Sequence, residues 1–226
     1  DILVTPLVTI FAGVGLSMLI AAPIGAAASQ VGTLIMWATE QAPLVMGILV
    51  SVIVGVALTL PISSAAICAA LGLTGLAGGA AVAGCCAQMV GFAVMSYKEN
   101  GVGGLVSQGL GTSMLQMGNI VKNPRIWIAP TLASAITGPL ATCVFHFEMN
   151  GAAVSSGMGT CGLVGQIGVY TGWVSDIAAG TKAAITPMDW AAMVLLCFVL
   201  PAVLSVIFCE IERKLGWIKE GDLKLN

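Results

Sequence analysis

Residues 122–148 read KNPRIWIAPTLASAITGPLATCVFHFE, and how this stretch is read decides the fold. It opens on a basic turn, Lys122-Asn123-Pro124-Arg125, and then runs twenty-two residues, Ile126 to Phe147, without a carboxylate, lysine or arginine. At a rise of about 1.5 Å per residue such a run crosses a hydrocarbon core of about 30 Å. It reads as a membrane-spanning helix with a cationic foot. Trp127 stands at the foot, where an amphipathic ring favours the interface. His146, the single histidine of the chain, and Glu148 lie at the other end. Pro130 and Pro139 fall inside the run, which membrane helices tolerate when neighbouring groups satisfy the freed carbonyls.

The surrounding composition agrees. Of 226 residues, 58% are hydrophobic and 8% are charged, against about 25% charged in a soluble domain. Too few polar groups exist to cover a water-facing surface, so the solvent must be the lipid bilayer. A net charge of -2 and the lack of a basic stripe exclude a nucleic-acid partner. Glycine is abundant, with 29 residues, which suits close helix approach and turned backbone at membrane depth. The seven cysteines form no CxxC pair and read as free, buried packing thiols. The sequence begins at Asp1, almost directly in an apolar run and without a signal-peptide layout, so we expect an upstream portion outside it.

In chain order, Ile2 to Ala22 is a first uncharged span ended by Pro23 and Gly25, and Gly25 to Gln41 is an interfacial helix or a further span. Pro43 to Leu60 is a second span and Ala80 to Tyr97 a third, with Gln88 near its middle. Between them, Pro61 to Gly79 is rich in small residues and predicts a re-entrant hairpin. Lys98-Glu99-Asn100-Gly101 is a charged turn. Leu105 to Val121, carrying Gln108, Thr112, Ser113, Gln116 and Asn119, predicts a second re-entrant element, and Met158 to Ser175 a third. Trp190 to Cys209 is the last span, and residues 213–226 form a charged tail. The expected whole is one all-α polytopic membrane domain over 1–226, with about five or six spanning helices and two or three re-entrant pieces. Lys98, Lys122, Arg125 and the tail share the cytoplasmic side if the glycine-rich pieces do not cross, which leaves Asp176 to Asp189 outside. A weak internal echo, C-x3-G-x2-G after a serine pair, links Ser63-Ser64, Cys68, Gly72 and Gly75 to Ser155-Ser156, Cys161, Gly165 and Gly168.

No catalytic constellation is present: no serine pairs with the lone histidine, and one histidine with scattered carboxylates makes no metal site. Gly157 to Gly162 matches GxGxxG but lacks the strand and βαβ unit that a dinucleotide site needs, so no cofactor is expected. His146 and Glu148, two apart, do not share a helix face; they end a helix in water or line a substrate cavity. Thr112, Ser113, Gln116, Asn119 and Asn150 belong to a set of uncharged polar groups beside the glycine-rich pieces. These either bind a hydroxyl-rich solute or tie helices together.

Residues 109–140 resemble the membrane permease subunit (EIIC) of the bacterial phosphotransferase system. Gly111-Thr112-Ser113 stands for the polar re-entrant tip, Asn123-Pro124 for the turn, and Ile126 to Pro130 for the helix start. With its SSGMGTCGLVGQIG segment the chain is most similar to the type 2 EIIC-like integral membrane family, over the later two-thirds of that family's length. The resemblance implies a bacterial inner-membrane protein, homodimeric, which transports a carbohydrate-like solute with soluble phosphotransferase-system subunits as partners. Sugar permeases of this kind carry a glutamate in the tip, whereas this chain has no carboxylate between Glu99 and Glu148. The site set expected from these readings is Thr112, Ser113, Gln116, Asn119, His146, Glu148 and Asn150. A non-transporting receptor or scaffold and a passive channel are the rival functions.

Overall fold

The computed structural model describes residues 4–225; Ile2 and Leu3, which open the first span read above, lie outside them. Among the described residues the chain is helical throughout, with one isolated backbone bridge between Gly75 and Met149. The helices are α1 (Val4–Gln41), α2 (Pro43–Thr59), α3 (Ser64–Leu71), α4 (Gly75–Met95), α5 (Tyr97–Val106), α6 (Met117–Lys122), α7 (Ile128–Pro139), α8 (Val164–Ala179), α9 (Pro187–Val194) and α10 (Leu200–Lys214). Among the described residues, three rods are long and apolar enough to cross a membrane: Gly75–Met95, Pro124–Val144 and Pro187–Lys214, with Pro43–Thr59 a shorter apolar helix. In the last rod a wide turn, Leu195–Val199, precedes Pro201, whose ring has no N–H to give the preceding turn.

Helix α4 is the axis. Every residue from Ala77 to Ala93 is buried, because its glycines let other backbones approach. A Cβ on Gly84 would stand 1.9 Å from the Ser51 carbonyl oxygen, and one on Gly79 would stand 1.6 Å from that of Phe147. Side-chain bonds fix the directions. Cys85 Sγ reaches the Val54 carbonyl at 3.8 Å and Thr59 Oγ1 donates to Gln88 Oε1 at 3.3 Å, so α2 runs parallel to α4. Ser51 Oγ donates to the Ser134 carbonyl at 2.8 Å and Thr142 Oγ1 to that of Pro43 at 2.7 Å, so α7 runs antiparallel to α2. Gly91 packs on Ser205 and Lys98 pairs with Glu210 at 2.9 Å, which sets α10 parallel to α4.

The distribution of polarity is inverted relative to a soluble protein. Gln88, Gln108, Ser134 and Thr137 are fully buried, while Val199, Val203, Ile207 and Ile211, spaced four apart on one stripe of α9–α10, face outward. An apolar outside and a hydrogen-bonded inside are what a hydrocarbon solvent requires.

Two elements differ from the sequence reading. Helix α1 is continuous through Pro23 and Gly25, which were expected to end it; nothing packs against Gly25 that would force a break. The segment Pro61 to Gly79 does turn back, but as part of a longer loop. Because α2 runs parallel to α4, α2 descends to the level of Gln88 and α3 returns beside it. Ser63 caps α3 through the Ala66 N–H (3.2 Å), and Gly72 closes it in the left-handed conformation, φ 63°. The two echo segments lie side by side: Ser64 Oγ donates to the Gly157 carbonyl (2.7 Å) and Ser156 Oγ to that of Leu73 (2.6 Å).

Two further hairpins enter from opposite ends. One descends through α5 and residues 107–111, turns at Thr112-Ser113, and returns through α6 to the basic foot. The other passes from residue 150 through the short helix Ala153–Gly157 to a tip at Gly159–Gly162 and returns as α8. They meet at mid-depth, where Thr160 Oγ1 donates to the Gly109 carbonyl and Ser113 Oγ bonds Thr59 Oγ1 at 2.8 Å.

Candidate functional site

Lys98, Lys122, Arg125, Arg213 and the tail gather at one end of the bundle, here called the basic end. The tail is tied there by Asn123 Nδ2 donating to Asp222 at 2.9 Å and Arg213 to Glu99 at 3.0 Å. Glu148, Asp176, Lys182 and Asp189 lie at the opposite, far end.

The sequence places His146 and Glu148 two apart, and the local backbone decides what that spacing means. The α7 rod ends at Val144, earlier than the expected Phe147. Phe145 keeps a helical backbone, His146 turns the chain through the left-handed region, and Met149 is then bridged to Gly75 by backbone bonds of 2.9 and 3.0 Å. After that turn Phe147 and Met149 are buried, and His146 and Glu148 face outward together. Their face borders a cavity of about 470 Å³ lined further by Asn150, Trp173, Asp176, Lys182 and Asp189. His146 holds a positive φ of 44°, a conformation costly for a residue other than glycine.

The polar groups of this cavity are cross-linked. Asn150 Nδ2 donates to Glu148 at 3.0 Å and to Asp176 at 2.9 Å, joining the extended segment to α8. Lys182 Nζ donates to Asp189 at 2.9 Å and stands 5.8 Å from the centre of the Trp173 ring. Asp189 is held in turn by the capping box at the start of α9, accepting from Thr186 N at 2.7 Å and Thr186 Oγ1 at 2.9 Å. Trp173 and Trp190 meet edge to face, 5.6 Å between centres. The lining carries the carboxylates of Glu148, Asp176 and Asp189 against the ammonium of Lys182, so its field is negative. Such a set offers acceptors and donors to hydroxyls, an aromatic wall to C–H groups, and repulsion to anions.

Thr112, Ser113, Gln116 and Asn119 are elsewhere. Thr112 caps its own turn through the Met114 N–H (3.2 Å), and Ser113 joins the buried knot with Thr59 and Gln88. Gln116 Nε2 donates to Gln108 (2.9 Å) and to the Leu223 carbonyl (3.0 Å); Asn119 Nδ2 donates to Gln116 (2.8 Å) and to the Lys224 carbonyl (3.0 Å). The structure thus brings His146, Glu148 and Asn150 together and sets the other four apart. Trp173, Asp176, Lys182 and Asp189 were not singled out as site residues: Trp173 fell in the third glycine-rich piece and the other three in the segment expected outside. The alternation Phe145-His146-Phe147-Glu148-Met149 was the legible sign that this stretch leaves the helix. Among the described residues no group of histidines, cysteines and carboxylates could hold a metal ion.

A family model described as "Phosphotransferase system, EIIC" matches residues 1–225. Neither the curated proteins nor the solved structures contain a match.

Proposed function

The chain belongs to the phosphotransferase-system EIIC family, the membrane-embedded transporter component of that system, and we propose that its solute is small, uncharged and carbohydrate-like and is taken at the far-end cavity. The observation that carries this reading is the convergence of Glu148, Asn150, Asp176 and Asp189 with Trp173 around a space of about 470 Å³. Ligand pockets run from about 300 to 1,000 Å³, so a mono- or disaccharide fits. Glu148 takes the part of the fixed acceptor that the hairpin tip lacks, and His146 stands beside it. Negative lining admits a neutral sugar and repels its phosphate ester, so a phosphorylated product does not rebind from this side.

By the distribution of lysine and arginine, the basic end is cytoplasmic and the far end faces outward in a bacterial inner membrane. Soluble phosphotransferase-system subunits work at the basic end and supply any phosphoryl group, the membrane chain supplying none. The chain acts as a homodimer, with a second copy seated on the outward face of α1, where Ile24, Val31, Leu34 and Trp37 are exposed. The test is uptake into proteoliposomes of a panel of hexoses, N-acetylhexosamines and hexose phosphates. Saturable uptake of a neutral sugar, with the phosphates refused, is the expected result. Flux that does not saturate would indicate a passive channel, and binding without uptake a receptor.

A further inference from the structure

Side chains of the basic-end hairpin hold the segment after α10, residues 217–225, which folds through turns closed by the Asp222 N–H on the Lys219 carbonyl (3.2 Å) and the Lys224 N–H on that of Gly221 (3.1 Å). Its backbone is read by side chains from both arms of the hairpin. The Leu223 carbonyl accepts from Asn100 Nδ2 (2.8 Å) and Gln116 Nε2 (3.0 Å), the Lys224 carbonyl from Asn119 Nδ2 (3.0 Å), and the Trp217 carbonyl from Asn123 Nδ2 (2.9 Å). In the other sense, the Leu223 N–H donates to Glu99 and the Leu225 N–H to Asn100 Oδ1, each at 2.8 Å. Leu223 and Ile218 are buried in one cluster with Ile120 and Met95. A side-chain amide carries both donors and an acceptor, so it can pair with peptide C=O and N–H alike.

We infer that residues 217–225 are a displaceable plug that seals the hairpin at the basic end, an inference that rests on the transport reading for its use but not for its test. Three observations support displacement. Glycines at positive φ stand at the start of the segment, Gly216 at 72°, and within it, Gly221 at 95°, with nothing packed on either, so the chain can hinge at both without a clash. It is held largely by polar contacts that water can replace, with two apolar anchors, Ile218 and Leu223. Glu212, whose carbonyl takes the Trp217 N–H at 2.9 Å, is buried with neither carboxylate oxygen bonded. An unpaired buried carboxylate destabilises the closed arrangement, and any opening that brings water to it relieves that cost. With the plug seated, Gln116 is shut off from the basic end and Asn119 reaches only a cavity of about 190 Å³ beside Asp222 and Lys224; with it released, their amides line an open cleft on that side.

The test places a cysteine under the plug, Ile120→Cys, with Cys143 and Cys161 changed to serine, and inserts a protease site after Gly216. Reactivity of residue 120 toward a membrane-impermeant maleimide is measured in the purified full chain before and after cleavage, and mass spectrometry follows the severed segment. The severed segment is expected to leave and reactivity to rise at least about tenfold, the scale on which a buried position becomes open. A segment that stays bound through chromatography after cleavage, or reactivity that does not change once it has left, overturns the inference. Hydrogen exchange on the uncut, unmutated chain gives an independent reading. The Leu223 and Leu225 amides are expected to exchange at least about tenfold faster than those of α4. Exchange as slow as that of α4 would mean that the segment opens only with the whole fold, which also overturns it. Neither readout involves a solute, so the transport reading can fail while the plug stands, and the reverse.

Discussion

At the basic end, Gln108, Gln116 and Asn119 are buried and commit their amides to one another and to residues 217–225. At the far end, Glu148 and His146 are exposed to a cavity, and Asn150 stands half-buried between two acids. Both regions are polar, and both sit on hairpins that stop at mid-depth. They differ in whether the polarity is already satisfied within the protein. A buried amide with its partners in place contributes structure, and a carboxylate left facing a cavity is available to a ligand. A count of polar residues does not separate the two cases, and the partner of each atom does.

The change that should break the comparison most completely is Gly84→Leu, since both hairpins depend on α4. A Cβ at this position already meets the Ser51 backbone at 1.9 Å. Overpacking of this kind costs about 1–3 kcal/mol and more where backbone must move. We expect no monodisperse protein in detergent, as judged by size-exclusion chromatography and circular dichroism. Next in size is Glu148→Gln, which keeps the shape of the far cavity and removes a charge. Hydrogen bonds to a charged group contribute about 1.5–3 kcal/mol against 0.5–1.5 for neutral ones, so affinity for the proposed sugar solute should fall about tenfold. The thermal transition should stay in place, and calorimetric titration checks the affinity.

Asn119→Ala sharpens the contrast from the other side. It removes the donor to Gln116 and to the Lys224 carbonyl and leaves a buried amide oxygen unpaired. The expected result is a stability loss of about 1–3 kcal/mol, read as a lower thermal midpoint, with sugar affinity unchanged. The smallest effect belongs to Lys98→Ala. The Lys98–Glu210 pair is open to water, with side chains 74% and 46% exposed, and its loss should move neither stability nor affinity measurably.

Much of the fold was legible from hydropathy alone: a long apolar helix follows Arg125, the two later glycine-rich pieces turn back, and the chain turns at Thr112-Ser113. The direction of α2 was not legible. Eighteen apolar residues from Pro43 to Leu60 fit a crossing, yet Thr59 ends against the buried Gln88 and Ser113, a contact set by tertiary packing. The site was half legible. His146 and Glu148 were noticed, but a helical reading separated them, and the turn at His146 with the Gly75–Met149 bridge after it brings both to one cavity. Gln116 and Asn119 drew attention as polar groups in an apolar segment; besides local bonds to Gln108 and to each other, each also donates to a backbone carbonyl more than a hundred residues away, beyond any local pattern.

The most direct measurement is a pair of dissociation constants, for Glu148→Gln and Asn119→Ala, determined with the same sugar and divided by that of the unmutated chain. Affinity lost about tenfold at position 148 and retained at position 119 is the expected result. Affinity lost at 119 and retained at 148 would place the solute at the basic-end hairpin and contradict the assignment of the far-end cavity.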